Sequence, residues 1–430
     1  MTWIQIASLV IFFATFVAIF MERVHRTIVA IAAALVMLIF GMVNGFYDQE
    51  LAFKSVDFNT ILLLMWMMLT VAILEHTGYL DYLAIRMAQR SKGRQWPLLV
   101  VLGTTTTLVS TLLDNVTTIV VVGPVTVSIC RALQVNPIPY LLALALLSDT
   151  GGVATLIGDP PNVIIGSAAG LSFNDFLTHM APLVFVAWMV VLFMLKFIFR
   201  KELAVKSEHI DSLMEIDPKE RLKDWPTARK ILIVFGGVTI LFFFHSLLHL
   251  EASTVAFIGF AVALAWVRPD PDEILKKIDW SVLLFFSALF VLVGGVEKTG
   301  ALEAIGEHLT SMATTNMLLT CIVLLWSAAF VSAIVDNIPF TIAMVPIIKH
   351  LETQGLHVEP LWWALALGAG FGGNGTPIGS TANVVIVSLS EKTAHPITFK
   401  IWFRSGLPVA VACCLVGSII MALFFPWYSN

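Results

Sequence analysis

Apolar residues recur along the whole chain in long runs, and polar residues gather in the short connections between them. Most runs are close to the ~20 residues that a helix needs to cross a bilayer. This pattern predicts an all-α polytopic membrane protein and excludes a water-soluble one. The predicted runs are residues 3–20, 27–46, 58–75, 96–133, 138–170, 176–199, 230–248, 252–267, 281–297, 317–348, 361–390 and 405–426.

Four of these runs are too long for one helix, and each is interrupted near its centre. Asp-Asn fragments interrupt 96–133 and 317–348, which predicts either two full spans or a re-entrant hairpin in each run. Glycine and proline interrupt 138–170 and 361–390, which predicts two unwound helices. Backbone amides and carbonyls that lack helical hydrogen bonds at membrane depth are tolerated only where they are buried in protein or line a water-filled cavity. We therefore expect the four interruptions to meet inside the protein.

The chain contains an internal duplication of about half its length. The position numbers of Asp114 and Asp336 differ by an offset of 222, and those of Gly158 and Gly379 differ by an offset of 221. Two equivalent halves indicate one site that is built twice. The first-half positions with a counterpart at one of these two offsets are Asp57, Glu75, Gly78, Asp114, Pro124, Gly151, Gly152, Thr155, Gly158 and Asn162.

The number of crossings predicts how the two halves are oriented. A hairpin and a pair of full spans both return the chain to its starting side, so the first half makes an odd number of net crossings. The second half is then inverted. We predict a first inverted repeat at residues 1–199, a linker at 200–229 and a second inverted repeat at 230–430. Paired broken segments in inverted repeats indicate a substrate site near the bilayer midplane.

Basic residues are distributed unequally between the two sides of this topology. With the N-terminus outside, only Lys54, Lys298 and Lys349 of the 25 Lys and Arg residues fall on the outer side. The positive-inside rule therefore predicts that both termini are external and that the linker is cytoplasmic. We expect the protein to lie in the cell inner (plasma) membrane. The run 3–20 lacks the features of a cleaved signal peptide, so we expect it to be the first transmembrane helix.

Aspartates interrupt the apolar pattern at the candidate functional positions. An ionisable side chain at membrane depth is costly, so by default it marks a functional site. Asp114 and Asp336 stand at the centres of the two predicted hairpins, where they can carry protons because low dielectric favours the protonated form of a carboxyl. Asp159 stands in the first unwound helix. Their alternative role is to cap a helix end. Asp149 lies in the same run as Asp159, but it has no acidic counterpart in the second half and is the weaker candidate.

Uncharged polar side chains accompany these aspartates. Amides and hydroxyls can bind a solute directly or satisfy backbone groups that the breaks leave free. We expect no Lys, Arg or His in the cavity, which favours a small neutral polyhydroxyl solute or a bare cation over a carboxylate anion. The candidate binding residues are Asn115, Thr117, Thr118, Thr155, Asn162, Asn337, Thr341, Asn374, Thr376, Ser380 and Asn383.

Three fragments, at 113–118, 155–164 and 336–339, resemble a known family. They are similar to the arsenite permease and NhaD-type antiporter family of the ion transporter superfamily, which also contains the melanosomal P protein and, more distantly, the sodium–carboxylate carriers. The resemblance implies a scaffold and a transport domain, an elevator-like movement and a homodimer. The carboxylate carriers have Ser-Asn-Thr where this chain has Asp-Asn, which favours proton coupling over sodium–carboxylate symport.

The leading functional hypothesis is a secondary exporter of arsenite or antimonite that is coupled to inward proton movement. As(OH)₃ is small and neutral, and its hydroxyls match a lining of amides and hydroxyls. A sodium–proton antiporter of the NhaD type is the alternative. An organic anion carrier, a channel or a membrane-embedded enzyme fits the duplicated pattern less well.

The sequence also limits the partners. It has no nucleophile–base pair and no metal-binding motif, so we expect neither an enzyme nor a metal or cofactor. It has no nucleotide-binding motif, so ATP-driven transport would need a separate ATPase subunit. The expected partners are a small inorganic solute, protons or sodium, and the lipid bilayer, with no nucleic acid.

Overall fold

The structure is a computed structural model that describes residues 1–21, 23–204, 207 and 209–429. The helices of the first half are α1 (Trp3–Phe20), α2 (Arg26–Asn44), α3 (Gln49–Ser55), α4 (Phe58–His76), α5 (Tyr79–Gln89), α6 (Gln95–Ser110), α7 (Asn115–Ala132), α8 (Ile138–Gly152), α9 (Pro160–Ala169) and α10 (Phe173–Ile198). The connecting segment holds α11 (Arg200–Ala204), α12 (Ile210–Met214) and a 3₁₀ helix (Pro218–Arg221). The second half holds α13 (Trp225–Phe244), α14 (Ala252–Val267), α15 (Pro271–Leu275), α16 (Trp280–Lys298), α17 (Ala301–Thr315), α18 (Met317–Ile334), α19 (Asn337–Thr353), α20 (Glu359–Gly373), α21 (Thr381–Glu391), α22 (Phe399–Leu423) and α23 (Phe425–Tyr428).

The chain is all-helical within these described ranges, with no strand. Nine of the described helices are long and apolar enough to cross a membrane, namely α1, α2, α4, α7, α10, α13, α16, α18 and α22. The prediction of an all-α polytopic membrane protein is confirmed. The inversion of the second half and the boundaries of the two repeats remain predictions.

Helices α1–α10 of the first half correspond in order to helices α13–α22 of the second. Helix α4 and helix α16 have 19 residues each, and their first residues, Phe58 and Trp280, are related by the offset of 222. Helix α8 and helix α20 have 15 residues each, and their first residues, Ile138 and Glu359, are related by the offset of 221. The same offsets relate α1–α9 to α13–α21 to within a few residues. The duplication inferred from individual residue positions is therefore also seen in the order and length of the helices.

The four interrupted runs are each divided into two helices. Helices α6 and α7 are separated at 111–114, and α18 and α19 at 335–336. The gaps at 153–159 and 374–380 separate α8 from α9 and α20 from α21. Helix α6 packs on α8 and helix α18 packs on α20. Every residue of α8 is buried, so the break that follows α8 lies at the centre of the molecule.

Eight further helices form an outer group around this centre. Helix α2 packs on α16 and helix α14 packs on α4. We call α1–α4 with α13–α16 the outer helices, and α6–α9 with α18–α21 the inner helices. Contacts between α4 and α9 and between α16 and α19 join the two groups.

Helices α5 and α17 are not predicted from the sequence, because they are amphipathic and lack a continuous apolar run. Each begins after a glycine in the left-handed region, Gly78 at φ 71° and Gly300 at φ 72°. A residue with a Cβ atom would be strained at these positions. The glycine thus lets the chain turn from the end of α4 or α16 directly into the next helix.

The connecting segment is bonded to the first half. The Lys223 backbone N–H donates to the Thr77 carbonyl oxygen at 2.9 Å, and Gln89 Nε2 donates to the Ile216 carbonyl oxygen at 2.9 Å. The segment is also shorter than the predicted linker at 200–229, because α13 begins at Trp225. Asp224 caps that helix, and proline is tolerated in its first turn because the N–H there needs no helical partner.

Candidate functional site

In each broken segment, a glycine allows the backbone to lie in direct contact with neighbouring backbone atoms of the break and of the adjacent hairpin. A Cβ atom on Gly158 would lie 2.5 Å from the carbonyl oxygen of Gly152 and 2.9 Å from that of Ser110. Gly379 has the same geometry, since its Cβ would lie 2.6 Å from the carbonyl oxygen of Gly373. No other residue fits at these crossings without displacing backbone atoms.

Two predicted threonines tie the breaks to the hairpins. Thr155 Oγ1 donates to the Thr111 carbonyl oxygen at 2.6 Å, and Thr376 Oγ1 donates to the Ala333 carbonyl oxygen at 2.5 Å. Each bond satisfies a carbonyl at the end of a helix, where no intrahelical partner exists. These hydroxyls therefore hold the scaffold of the site and do not point into open space.

Two predicted asparagines close the breaks from the other side. Asn162 Nδ2 donates to the Thr155 carbonyl oxygen at 2.8 Å, and Asn383 Nδ2 donates to the Gly373 carbonyl oxygen at 2.9 Å. Both side chains are fully buried. The Oδ1 atom of each has no hydrogen-bond partner in the described part of the chain. Each break thus has at least one buried amide oxygen without a partner beside it.

The first carboxylate lies in a group that we call the Asp149 niche, formed by Asn115, Asp149 and Ser380. Asn115 Nδ2 donates to Asp149 Oδ1 at 2.9 Å, and Ser380 Oγ donates to the same oxygen at 3.0 Å. The niche joins the tip of the first hairpin, the last turn of α8 and the second break. It therefore contains residues of both halves.

The second carboxylate lies in the Asp159 niche, formed by Asn337, Asp159 and Gly370. Asn337 Nδ2 donates to Asp159 Oδ2 at 3.4 Å. A Cβ atom on Gly370 would lie 3.5 Å from the same oxygen. This niche joins the tip of the second hairpin, the first break and α20, so it also spans the two halves.

The two niches are equivalent under the duplication. Asn115 corresponds to Asn337 by the offset of 222, and Asp149 corresponds to Gly370 by the offset of 221. The offset of 221 also relates Asp159 to Ser380, so Ser380 corresponds to the aspartate of the other niche. Each niche therefore has two positions that could carry a carboxylate, and each has one.

Both niche carboxylates are buried and incompletely bonded. Asp149 is 2% exposed and Asp159 is 1% exposed. Asp149 Oδ2 and Asp159 Oδ1 have no hydrogen-bond partner among the described residues, and neither side chain belongs to an ion pair there. A buried carboxylate without a cationic partner is costly, and binding a proton or a small cation offsets that cost.

Asp114 and Asp336, at the tips of the hairpins, have different bonds. Asp114 caps α7, because its Oδ1 accepts from the Thr117 N–H at 2.9 Å and its Oδ2 accepts from the Thr117 hydroxyl at 2.6 Å. Asp336 makes no side-chain cap bond to α19. The residue equivalent to Thr117 is Pro339, which has neither an N–H nor a hydroxyl to donate. Asp336 is thus left without the local partner that Asp114 has.

Asp336 bonds instead to Arg26, the first residue of α2. The Arg26 guanidinium forms an ion pair with Asp336 Oδ2, and it donates to Thr381 Oγ1 at 2.9 Å. Thr381 Oγ1 in turn donates to Asp336 Oδ2 at 3.1 Å. The expectation that no Lys, Arg or His faces the cavity is therefore wrong. Pro339 is the one local signal that Asp336 needs a distant partner.

A central cavity of about 210 Å³ lies between the hairpin tips and the outer helices. Its lining adds Lys277 to Arg26 as a second cation, with Lys277 Nζ 3.9 Å from Glu75 Oε1. The predicted residues that line it are Asp114, Asn115, Thr117, Asp159, Asp336, Asn337 and Ser380. The predicted residues that do not are Thr118, Asp149, Thr155, Asn162, Thr341, Asn374, Thr376 and Asn383.

Most of the predicted residues that do not line the cavity make hydrogen bonds to the residues or helices that surround it. Asp149 reaches it through Asn115 and Ser380. The hydroxyls of Thr118 and Thr341 donate to carbonyls four residues earlier, as threonine often does in helices. Asn374 Nδ2 donates to Thr150 Oγ1 at 3.1 Å.

Comparison with known proteins identifies the family. The sequence model of the citrate transporter family matches residues 16–368. A 46 kDa membrane protein of Mycobacterium leprae is 36% identical over 425 residues, covering 97% of this chain and 98% of the relative. An uncharacterized transporter of Mycobacterium tuberculosis is 36% identical over 429 residues, covering 97% of this chain and 98% of that protein.

Two further likenesses bear on the predicted kinship and the fold. The human P protein is 32% identical over 481 residues, which cover 93% of this chain and 57% of the P protein. The solved YdaH transporter of Alcanivorax borkumensis has a TM-score of 0.64 at 15% identity, covering 95% of this chain and 100% of that chain. This last likeness shows the fold alone.

These matches confirm the predicted kinship with the P protein, and they establish a transporter and not an enzyme. The narrower assignment to the arsenite permease and NhaD-type branch remains a prediction. The chain is a secondary membrane transporter that belongs to the citrate transporter family.

Proposed function

We propose that this transporter exports arsenite or antimonite from the cell in exchange for protons. The observation that carries the proposal is the pair of niches beside the central cavity, each with one buried carboxylate that has an unpartnered oxygen. Protonation offsets the cost of burying such a group without a cation. Asp149 and Asp159 are therefore the proton carriers in this proposal, and the hairpin tips at Asp114 and Asp336 are not.

The lining of the cavity suits a small neutral hydroxylated solute. The amides of Asn115 and Asn337 and the hydroxyls of Thr117 and Ser380 can both donate and accept. As(OH)₃ and Sb(OH)₃ have the complementary hydroxyl groups, and each is small enough for a cavity of about 210 Å³. Recognition by thiolate is not part of the proposal, because the four cysteines are buried away from the cavity.

Free citrate fits this cavity less well than the family name suggests. Two aspartates of the lining that have no cationic partner, Asp114 and Asp159, would repel a tricarboxylate. The two cations of the lining are already close to acidic partners, Arg26 to Asp336 and Lys277 to Glu75. Burying an anion against unneutralised carboxylates is strongly unfavourable.

The packing of outer and inner helices supports an elevator-type alternating access. The inner helices carry both hairpin tips, both breaks and both niches as one packed unit. We propose that this unit moves against the outer helices in a plasma-membrane homodimer whose termini lie outside. Inverted repeats would make the inward-facing and outward-facing states structurally equivalent.

Arsenite resistance tests the proposed substrate. Expression of this chain in cells that lack arsenite exporters should increase the arsenite concentration that halves growth, because the solute leaves the cell against its gradient. The matched control is the double variant Asp149→Asn and Asp159→Asn at the same membrane abundance, which should give no resistance. Unchanged sensitivity with the wild-type protein present in the membrane would refute arsenite export.

A sodium–proton antiporter is the second candidate, and it rests on one observation. The unpartnered buried atoms of the breaks and niches are oxygens, and oxygen is the ligand that hard cations prefer. These atoms are Asp149 Oδ2, Asp159 Oδ1, Asn162 Oδ1, Asn374 Oδ1 and Asn383 Oδ1.

A dye assay separates the two candidates. Proteoliposomes with an acidic lumen and an internal pH dye should show no fluorescence change on addition of sodium if arsenite is the solute. Sodium-driven proton release, absent from protein-free vesicles and from the Asp149→Asn and Asp159→Asn double variant, would instead establish antiport of sodium. A parallel citrate addition should produce no proton movement.

A further inference from the structure

Two cavities meet at the Arg26 ion pair. The first is the central cavity of about 210 Å³. The second, of about 350 Å³, lies between the α1–α2 connection and the faces of the second hairpin and α21. The lining of the second includes His25 on one side and Val335 on the other. The residues that line both cavities are Arg26, Asp336 and Thr381.

These three residues form a closed triangle, which we call the Arg26 triangle. Its sides are the ion pair between Arg26 and Asp336, the bond of 2.9 Å from Arg26 to Thr381 Oγ1, and the bond of 3.1 Å from Thr381 to Asp336. The guanidinium carbon also lies 5.2 Å from the ring centroid of Phe285, a cation–π distance. The triangle therefore forms the partition between the two cavities.

The triangle joins parts of the molecule that belong to different groups. Arg26 and Phe285 lie on outer helices, α2 and α16. Asp336 and Thr381 lie on the inner helices, at the start of α19 and α21. Any displacement of the inner helices against the outer ones must therefore break the bonds to Arg26 or move it.

Among the residues that the structure describes, this partition has no equivalent in the other half. The residue equivalent to Arg26 by the offset of 222 is Leu248, which has no charge. The residue equivalent to Asp336 is Asp114, whose two oxygens are bonded to Thr117. The sequence difference between Pro339 and Thr117 thus leaves one hairpin tip available to an outer helix and closes off the other.

We propose that the Arg26 triangle is a gate, and that solute passes between the central cavity and the second cavity only when Arg26 releases Asp336. The side chain of Arg26 is 27% exposed and borders both cavities, so the pair is weaker than a fully buried one. The gate is therefore strong enough to close the partition and weak enough to open in a transport cycle. This inference concerns the path through the protein and does not depend on which solute is carried.

Cysteine labelling tests the gate without any transport measurement. The reporter is Val116→Cys, because Val116 lines the central cavity but not the second one. The native cysteines are buried and give little background. Membrane vesicles of both orientations are treated with a membrane-impermeant methanethiosulfonate reagent, and the labelling rate is measured. Arg26→Gln should increase the rate by about fivefold or more on one face of the membrane.

Three further variants make the result decisive. Asp336→Asn should act like Arg26→Gln, and Pro339→Thr should also raise the rate, because the new N–H and hydroxyl can draw Asp336 into a cap. Arg23→Gln is the matched control, since Arg23 is an exposed arginine of the same connection, and it should leave the rate unchanged. A rate equal to that of the wild type in whichever of Arg26→Gln, Asp336→Asn and Pro339→Thr elute as folded protein would overturn the gate.

Discussion

Asparagine at position 149 or 159 is expected to abolish uphill transport while downhill equilibration of the solute continues. Asn keeps the size of Asp and the acceptor oxygen that Asn115 and Ser380 use in the Asp149 niche, but it cannot release or bind a proton. The inner helices should therefore still move and still carry solute. The ratio of uphill to downhill transport should fall by at least about tenfold, within the usual range of coupling energies.

Uphill transport is measured with a proton gradient and downhill equilibration without one, in the same vesicle preparation. Asp57→Asn is the matched control, because Asp57 caps α4 and asparagine caps a helix equally well. Asp114→Asn and Asp336→Asn test the alternative hypothesis that the hairpin tips carry the protons. Retention of uphill transport in both niche variants, together with its loss in the tip variants, would reassign the proton to the tips.

Alanine at Gly158 or Gly379 is expected to prevent correct folding of the transporter. The added Cβ atom would lie 2.5 or 2.6 Å from a backbone carbonyl oxygen, and backbone at a helix crossing cannot give way as a flexible side chain can. Overpacking of this kind costs about 1–3 kcal/mol and more where the neighbours are rigid. The thermal unfolding temperature of purified protein should fall sharply, or the protein should not be recovered.

Gly236→Ala is the matched control for the loss of stability expected of Gly158→Ala and Gly379→Ala. Gly236 also lies in an apolar helix, but a Cβ atom there would have no heavy atom within 4 Å. Replacing a helical glycine in open space should leave the protein unchanged or stabilise it by about 0.5–1 kcal/mol. Wild-type unfolding temperatures for both Gly158→Ala and Gly379→Ala would show that the crossings are looser than their geometry indicates.

The elements that could be predicted from the sequence are those with a local signal. Apolar runs specify the helices, and the glycines and prolines at 155–162 and 374–383 specify the breaks. Constant offsets between residues such as Asp114 and Asp336 reveal the duplication. Each of these signals lies within about 20 residues or depends on simple counting, so no knowledge of packing is needed.

The features that could not be predicted are contacts between residues far apart in the chain. Arg26 lies 310 residues from Asp336, and a basic residue at the start of an apolar run ordinarily indicates a cytoplasmic end. Asp149 is the weaker candidate by sequence because its counterpart is not acidic. Besides Asn115, its partner is Ser380, which is 231 residues away and occupies the position that corresponds to the carboxylate of the other niche.

The shared construction of the niches determines what each half could do by itself. Two copies of the first half in the observed packing would set Asp149 against Asp159 in both niches, with four carboxylates around one cavity. Two copies of the second half would set Gly370 against Ser380 and leave both niches without a carboxylate. Only the pairing of unlike halves gives one carboxylate to each niche. Fusion into a single chain therefore guarantees that each first half pairs with one second half. Separately synthesised halves would reach this one-to-one ratio only if they assembled selectively.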